Sequence, residues 1–347
     1  GEPAACLWVA HQEELLEQAR AQLDDAWQVW GDCTLPYPQR RALRVSRLSA
    51  GRRPAIDAGF LGPQVVLASI QTLVRRMQDD GDALDWLGRV AVVVFDEAHR
   101  ALAPTYTTAI HRILAASHPA MVGLSATPYR GQDDESKWLR NRFGNRLLPG
   151  DSDTEAHFRS LQAAGVLSQY SLSGILEDYV VEFDLTPEEK DHLATFKDLP
   201  PTALERLGEA EDYTELIARR VAELPKDARV LVFCCSVHQA REVALLVALM
   251  SRREDRPRRT AFVDAKLSSA ERRRRIDAFK RGEIHVLTSV SVLTTGFDAP
   301  EVDHVVIARP TTSKVLYLQM AGRGLRGPAS GGTKHCTIIN EIGRAHV

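Results

Sequence analysis

Three short stretches of this sequence carry residue types at spacings that suit work on a phosphate. The first is Asp96-Glu97-Ala98-His99, directly behind the apolar run of residues 90–95. A strand that delivers two adjacent acids at its carboxyl tip suits phosphoryl transfer: one carboxylate holds Mg²⁺, usually through water, and the next takes a proton from the attacking water. The second is Ser125-Ala126-Thr127-Pro128, closing the apolar run of residues 121–124, where hydroxyls could bond the acids or the histidine of a neighbouring tip. The third is Gln319-Met320-Ala321-Gly322-Arg323-Gly324-Leu325-Arg326, on or after a helix. Arg323 and Arg326 are three apart and would share one face of a helix, where two guanidiniums can clamp phosphate oxygens. Taken alone, each has a plain structural reading: a solvated acidic turn, an ordinary Ser/Thr turn before proline, and a solvated basic face.

The elements needed to position these residues are legible as an alternation of strands and helices. Residues 6–10, 65–68, 90–95 and 121–124 read as buried strands, and residues 11–23 have a helical period with Leu15, Leu16, Ala19 and Leu23 on one side. The run at 90–95 is apolar on both faces, as expected within a parallel sheet. From Ala228 the rhythm returns, with strands expected at 230–234, 260–263, 285–288, 305–308 and 336–339. Helices are expected there at 236–249, 268–280 and 313–325. The stretch 149–225 between the two is rich in Glu, Asp, Leu and Ala and reads as a helical connector. The expected layout is therefore α/β with two parallel-sheet domains, 1–148 and 226–340.

Composition agrees with two globular domains. The 347 residues suffice for about two, at roughly 150 residues each. Lys and Arg number 44 against 46 Asp and Glu, a net charge of −2 that by itself does not suggest nucleic acid. A hydrophobic fraction of 44% supports two cores, and 26% charged residues without low-complexity tracts argue against a disordered chain. No apolar run is long enough for a membrane span and no signal peptide is visible. The five cysteines are scattered without a CxxC, and Cys234 and Cys235 would point to opposite faces of a strand. Reduced thiols in a cytoplasmic protein are expected rather than a disulfide framework or zinc site.

Taken together, the three stretches resemble the superfamily 2 helicases of DEAH type, and the resemblance extends along most of the chain. Residues 7–19 are similar to motif Ia of that family, and Ala68-Ser69-Ile70-Gln71-Thr72-Leu73 to its next nucleic-acid-contacting motif. Asp96–His99 resembles motif II, Ser125-Ala126-Thr127 motif III, Leu231-Val232-Phe233 motif IV, residues 293–300 (LTTGFDAP) motif V and residues 319–326 motif VI. The wording of the last two is most similar to bacterial DNA helicases related to type III restriction subunits. The resemblance implies two RecA-like domains, ATP and Mg²⁺ as cofactors, and DNA as partner. An RNA helicase or a non-hydrolysing nucleic-acid-binding paralogue stays as an alternative. It implies Mg²⁺ on Asp96, water activation by Glu97, and coupling of His99 to Gln319 and Ser125 across a cleft. Thr127, Gly296 and Gly322 would line the nucleotide, Asp298 would meet its ribose, and Arg323 and Arg326 its triphosphate. His11, Gln71, Thr72 and Thr294 would lie along the nucleic-acid backbone. A nuclease or methyltransferase partner in restriction, defence or repair is left open.

One part of the family pattern is missing. No GxxxxGK[ST] occurs in these residues, although that loop cradles phosphates and supplies the lysine for them. The expectation is a first domain that lacks its opening strand, loop and helix, in a chain that does not itself hydrolyse ATP. The last seven residues, 341–347, resemble a translated sequencing adapter. Arginines cluster at 40–53, 252–259 and 272–275; they either line a DNA track or form solvated faces, the latter being the plainer reading.

Overall fold

The computed structural model describes residues 5–34, 42–48, 56, 60, 62–79, 82–125, 133–146, 154–173, 184–196, 198–253, 257–290 and 301–340. The chain divides into two compact units, Gly1–Gly150 and Asp151–Val347.

In the first unit the elements run β1 (Ala5–Ala10), α1 (Glu13–Thr34), β2 (Arg44–Arg47), β3 (Gln64–Ser69), α2 (Ile70–Asp79), β4 (Val90–Asp96), α3 (Pro104–Ser117), β5 (Ala120–Leu124) and α4 (Asp133–Arg142). The strands form one sheet in the order β2-β3-β1-β4-β5, every neighbouring pair parallel. Helices on both faces exclude water from its centre, so β3 is buried at every position. One core joins Leu7, Val66, Val93 and Phe95 to Ile110 and Ile113 of α3. A second, on the other face, packs Leu15 and Leu16 of α1 against Val65 and Leu67. β5 ends the strand order and is largely exposed, Val122 and Leu124 included.

The second unit runs α5 (Thr154–Ala163), β6 (Gln169–Ser173), α6 (Pro187–Phe196), α7 (Pro201–Gly208), α8 (Glu211–Ala222), β7 (Val230–Phe233), α9 (Val237–Met250), β8 (Thr260–Val263), α10 (Ser269–Lys280), β9 (Val286–Ser289), β10 (His304–Ile307), α11 (Lys314–Ala321) and β11 (His335–Asn340). Its sheet, again parallel throughout, has the order β6-β11-β10-β7-β9-β8. Serines start α9, α10 and α11: Ser236, Ser268 and Ser313 each accept the N–H three residues on.

The described parts of the stretch 149–225, expected as a helical connector, pack on the second unit. β6 pairs with β11, and Leu204, Leu207, Tyr213, Ile217 and Val221 of α7 and α8 share a core with Val230, Val232, Val243 and Val247. The apolar stripe of α8 packs on one face of the second sheet. The helix expected at 313–325 is also shorter: α11 ends at Ala321, and Gly322–Gly324 form a 3₁₀ turn. The proposed adapter-like tail lies outside the described residues.

Candidate active site

In a parallel sheet all strands deliver their carboxyl ends to one edge, where ligands bind in open α/β folds. In the first unit that edge receives His11 behind β1, Ser69 and α2 at the end of β3, Asp96 and Glu97 at β4, and Ser125 behind β5. The strands thus gather every candidate residue of this unit that lies within the described residues.

β4 is apolar until Phe95, then turns abruptly. Glu97 adopts a left-handed backbone, φ 53° and ψ 50°, and leads into the 3₁₀ turn Ala98–Arg100. That conformation is uncommon for a residue with a Cβ and is concentrated at functional sites. Its N–H folds back onto Asp96 Oδ1 at 3.0 Å. His99, buried, points its Nδ1 at Glu97 Oε2 at 3.2 Å and at Ser125 Oγ at 3.4 Å. A carboxylate only accepts, so Nδ1 carries the proton in this arrangement. The turn lies close against β5: a Cβ on Gly123 would stand 2.8 Å from Ala98 Cβ and 3.0 Å from the Phe143 ring. Glycine here lets the two strand tips approach.

Burial is the main force on the Asp96 carboxyl. It pushes the Asp96 carboxyl above its ordinary range; the Glu97 N–H bond works the other way, and the Glu97 charge raises it further. Tyr106, beneath them, is pushed up to about 12 by burial. Such a tip disfavours negative charge and would gain from a cation. Among the described residues no group of three or more His, Cys, Asp or Glu could hold a metal. A single carboxylate at the strand tip, completed by water and phosphate oxygens, fits Mg²⁺, which keeps its waters and rarely takes an all-protein cage.

Beside the acids, Gln71 Nε2 lies 3.2 Å from His11 Nδ1. Burial, and then the Arg100 charge, lower the His11 pKa, so its ring is held neutral and accepts from the Gln71 amide. Ser69 Oγ donates to Thr72 Oγ1 at 2.9 Å and accepts the Thr72 N–H at 3.2 Å, capping α2. Sequence reasoning had passed over Ser69 as a cap; the signal was a serine at the strand end with its helix starting at the next residue. Thr127, Thr294, Gly296 and Asp298 lie outside the described residues.

In the second unit Gln319 sits in the last turn of α11, with Nε2 buried and no partner among the described residues. Gly322 and Arg323 follow in the 3₁₀ turn. Gly324 packs so closely on β11 that a Cβ would collide with Cys336. Arg326 does not share a helix face with Arg323, contrary to expectation. It lies beyond the turn in an antiparallel bridge with Leu167, its carbonyl accepting from Thr333 N at 3.0 Å and from the Ser168 hydroxyl. The helix stops because the Gly-Arg-Gly stretch has poor helix propensity and the chain must return to β11.

The arginine clusters are partly absorbed by the fold. Arg47 pairs with Glu13 and Glu17. Arg258 is buried against the Leu224 and Pro225 carbonyls. Arg275 bonds Glu271 at 2.7 Å and stacks 4.5 Å from the Phe262 ring centre.

Comparison with known proteins assigns both units. Residues 2–130 match the family described as type III restriction enzyme, res subunit, and residues 211–327 match the helicase conserved C-terminal domain. The chain is 26% identical over 294 residues to IRC3 of Saccharomyces cerevisiae, assigned as an ATP-dependent helicase; this covers 84% of the chain and 39% of that protein. It shares its fold with the DUF1998 helicase MrfA bound to DNA, with TM-score 0.63 and 15% identity, covering 97% of this chain and 42% of that one. A fragment assigned as an HsdR subunit of a type I restriction enzyme from Vibrio vulnificus YJ016 gives TM-score 0.60 and 19% identity over 99% of this chain and 53% of its own. The chain therefore spans about two fifths of IRC3 and of MrfA and about half of the HsdR fragment. With a restriction res-subunit match on its first unit, a helicase C-terminal match on its second and parallel-sheet α/β folds in both, the chain belongs to the superfamily 2 helicases.

Proposed function

We propose that these residues form part of the motor of an ATP- and Mg²⁺-dependent DNA helicase or translocase. The observation that carries this is the Asp96–Glu97–His99–Ser125 group at the carboxyl edge of a parallel sheet. When bound, Mg²⁺ would neutralise phosphate charge beside Asp96. Glu97 takes the proton of the attacking water, its carboxylate oriented by His99. Ser125 reports the state of that histidine to the strand tip of β5. Arg323, with Arg326, meets charge developing on the transferred phosphoryl group. Gln319, Gly322, Thr127, Gly296 and Asp298 complete the nucleotide contacts. His11, Gln71, Thr72 and Thr294 touch the phosphate backbone of the nucleic acid.

DNA is favoured over RNA by the wording of residues 293–300 and 319–328 and by the res-subunit match. A nuclease or methyltransferase partner and a cytoplasmic setting go with that reading. No helix among the described residues is long and apolar enough to cross a membrane. Since no GxxxxGK[ST] occurs in these residues, the 347-residue chain on its own is proposed not to turn over ATP.

The test uses a protein that carries these residues together with a phosphate-binding loop. ATP hydrolysis is measured with single-stranded DNA, duplex DNA and RNA as stimulants. Glu97→Gln is expected to retain ATP binding and lose at least about 10²-fold in turnover, the usual scale for a general base. Parental turnover in that variant removes Glu97 from its role, and stimulation by RNA alone removes DNA as the track.

A further inference from the structure

The loop between β10 and α11 is held by a carboxylate from a distant part of the second unit. Arg309 Nη2 donates to Asp198 Oδ2 at 3.1 Å, and Thr311 Oγ1 donates to Asp198 Oδ1 at 2.9 Å. Both oxygens of Asp198 are thus taken by one loop. The same Thr311 oxygen accepts Ser313 N–H at 3.0 Å, and Ser313 Oγ in turn accepts Leu316 N–H in the first turn of α11. A continuous chain of hydrogen bonds therefore runs from the segment ahead of α7 to the cap of the helix that leads to Arg323. One residue earlier, the Ala308 carbonyl accepts from Tyr213 Oη of α8 at 2.7 Å and from Cys235 Sγ at 3.3 Å. The guanidinium of Arg309 is buried, and its Nε and Nη1 have no partner among the described residues. Asp198 is the acidic group it is paired with. Pro310, between the two residues that reach Asp198, removes backbone freedom from the loop.

We propose that Asp198, through Thr311, is a positioning residue for Arg323: it sets the direction in which α11 leaves β10 and so where the Gly322–Gly324 turn presents its guanidinium. This rests on the reading that Arg323 acts on the triphosphate. The lever is long. α11 runs from Lys314 to Ala321, about 12 Å at ~1.5 Å per residue, and the Gly322–Gly324 turn carries it on to Arg323. A tilt of about 5° at the cap moves the far end by roughly 1 Å, a misplacement that costs on the order of 10²-fold in rate when it falls on a catalytic group. The effect of Asp198 passes through Thr311 and Ser313.

The decisive variant is Thr311→Val, which removes the hydroxyl link without stranding a buried charge, compared with Thr311→Ser, which keeps it. In the 347-residue chain without nucleotide, hydrogen exchange at the amides of residues 315–324 is expected to quicken by about 10-fold in Thr311→Val. Exchange in α9 should stay as in the parent, and Thr311→Ser should match the parent throughout. Unchanged exchange at 315–324 overturns the proposal. In a protein that also carries a phosphate-binding loop, Thr311→Val is expected to lower kcat by roughly 10- to 100-fold with KM for ATP nearly unchanged, and Thr311→Ser to restore it. Arg323→Ala separates the two claims. If it is inactive while Thr311→Val turns over normally, the positioning role falls and the arginine reading stands. If Arg323→Ala is itself fully active, the arginine reading falls, and exchange alone still decides whether the link holds α11. Should Thr311→Val fail to fold, Asp198→Glu keeps the charge beside Arg309 while displacing the carboxylate, and the same pattern of exchange is expected.

Discussion

At Asp96 the burial of a carboxyl opposes stability. Burial raises its carboxyl pKa above the ordinary value of 3.8, more than the Glu97 N–H bond lowers it. A carboxyl that binds its proton more tightly folded than unfolded costs the folded state stability as pH climbs from the ordinary value through the raised one. Below the ordinary value the cost vanishes. Asp96→Asn is therefore expected to raise the midpoint of thermal unfolding at about pH 7 and to leave it unchanged near pH 3, followed by circular dichroism. An equal gain at both pH values would show that charge burial is not the cause. Glu97 carries a second cost, its left-handed backbone. The two acids were legible as a pair in sequence because they follow an apolar run directly and stand in order with the stretches at 125–128 and 319–326. The backbone turn that aims the second acid was not, since no glycine or asparagine marks it.

At the level of elements, the approach of the Ala98–Arg100 turn to β5 determines whether His99 can reach Ser125. Gly123 permits that approach, with Ala98 and Phe143 on either side of where a Cβ would stand. Gly123→Ala is expected to cost about 1–3 kcal/mol in chemical unfolding, the range for overpacking a filled site. In a hydrolysis-competent protein it should also lower turnover, because the 3.4 Å contact between His99 and Ser125 lengthens first. Full stability with full turnover would mean that Phe143 yields without loss. The same scale accounts for the strands that sequence reading passed over. β2 reads Arg-Val-Ser-Arg and β6 reads Gln-Tyr-Ser-Leu-Ser. Each sits at an end of its sheet, where one flank has no neighbouring strand among the described residues and polar residues are tolerated. Their patterns lack the apolar run that marks an interior strand.

At the scale of the whole molecule, the described residues form two independent sets of cores. Every residue of the clusters around Val93 and Leu67 belongs to the first unit, and every residue of those around Val232 and Leu231 to the second. A unit with its own core can fold alone. Residues 151–347 expressed separately are expected to unfold cooperatively on heating, with native near-ultraviolet circular dichroism. A fragment that begins at residue 226, as the expected connector boundary would suggest, should not, because it loses α7, α8 and β6. If the shorter fragment proved equally stable, α7 and α8 would be an appendage.

The sequence by itself determined the α/β class, the interior strands and the residues at their tips. Local apolar runs fix interior strands, and parallel pairing brings their ends to one edge whatever the strand order. It therefore located Asp96, Glu97, His99, Ser125, His11 and Gln71 without knowledge of which strands are neighbours. Tertiary structure alone decided what depends on contacts between distant residues. Arg309 meets Asp198 across 111 positions and Ser168 meets Arg326 across 158, and no local period records such pairs. Contacts of the same long range place α7 and α8 in a core of the second unit and β6 beside β11, and past Ala321 the chain leaves the helix, so that Arg323 and Arg326 share no helix face. A helix is proposed by its own pattern, but it ends where the sheet behind it requires the chain to return.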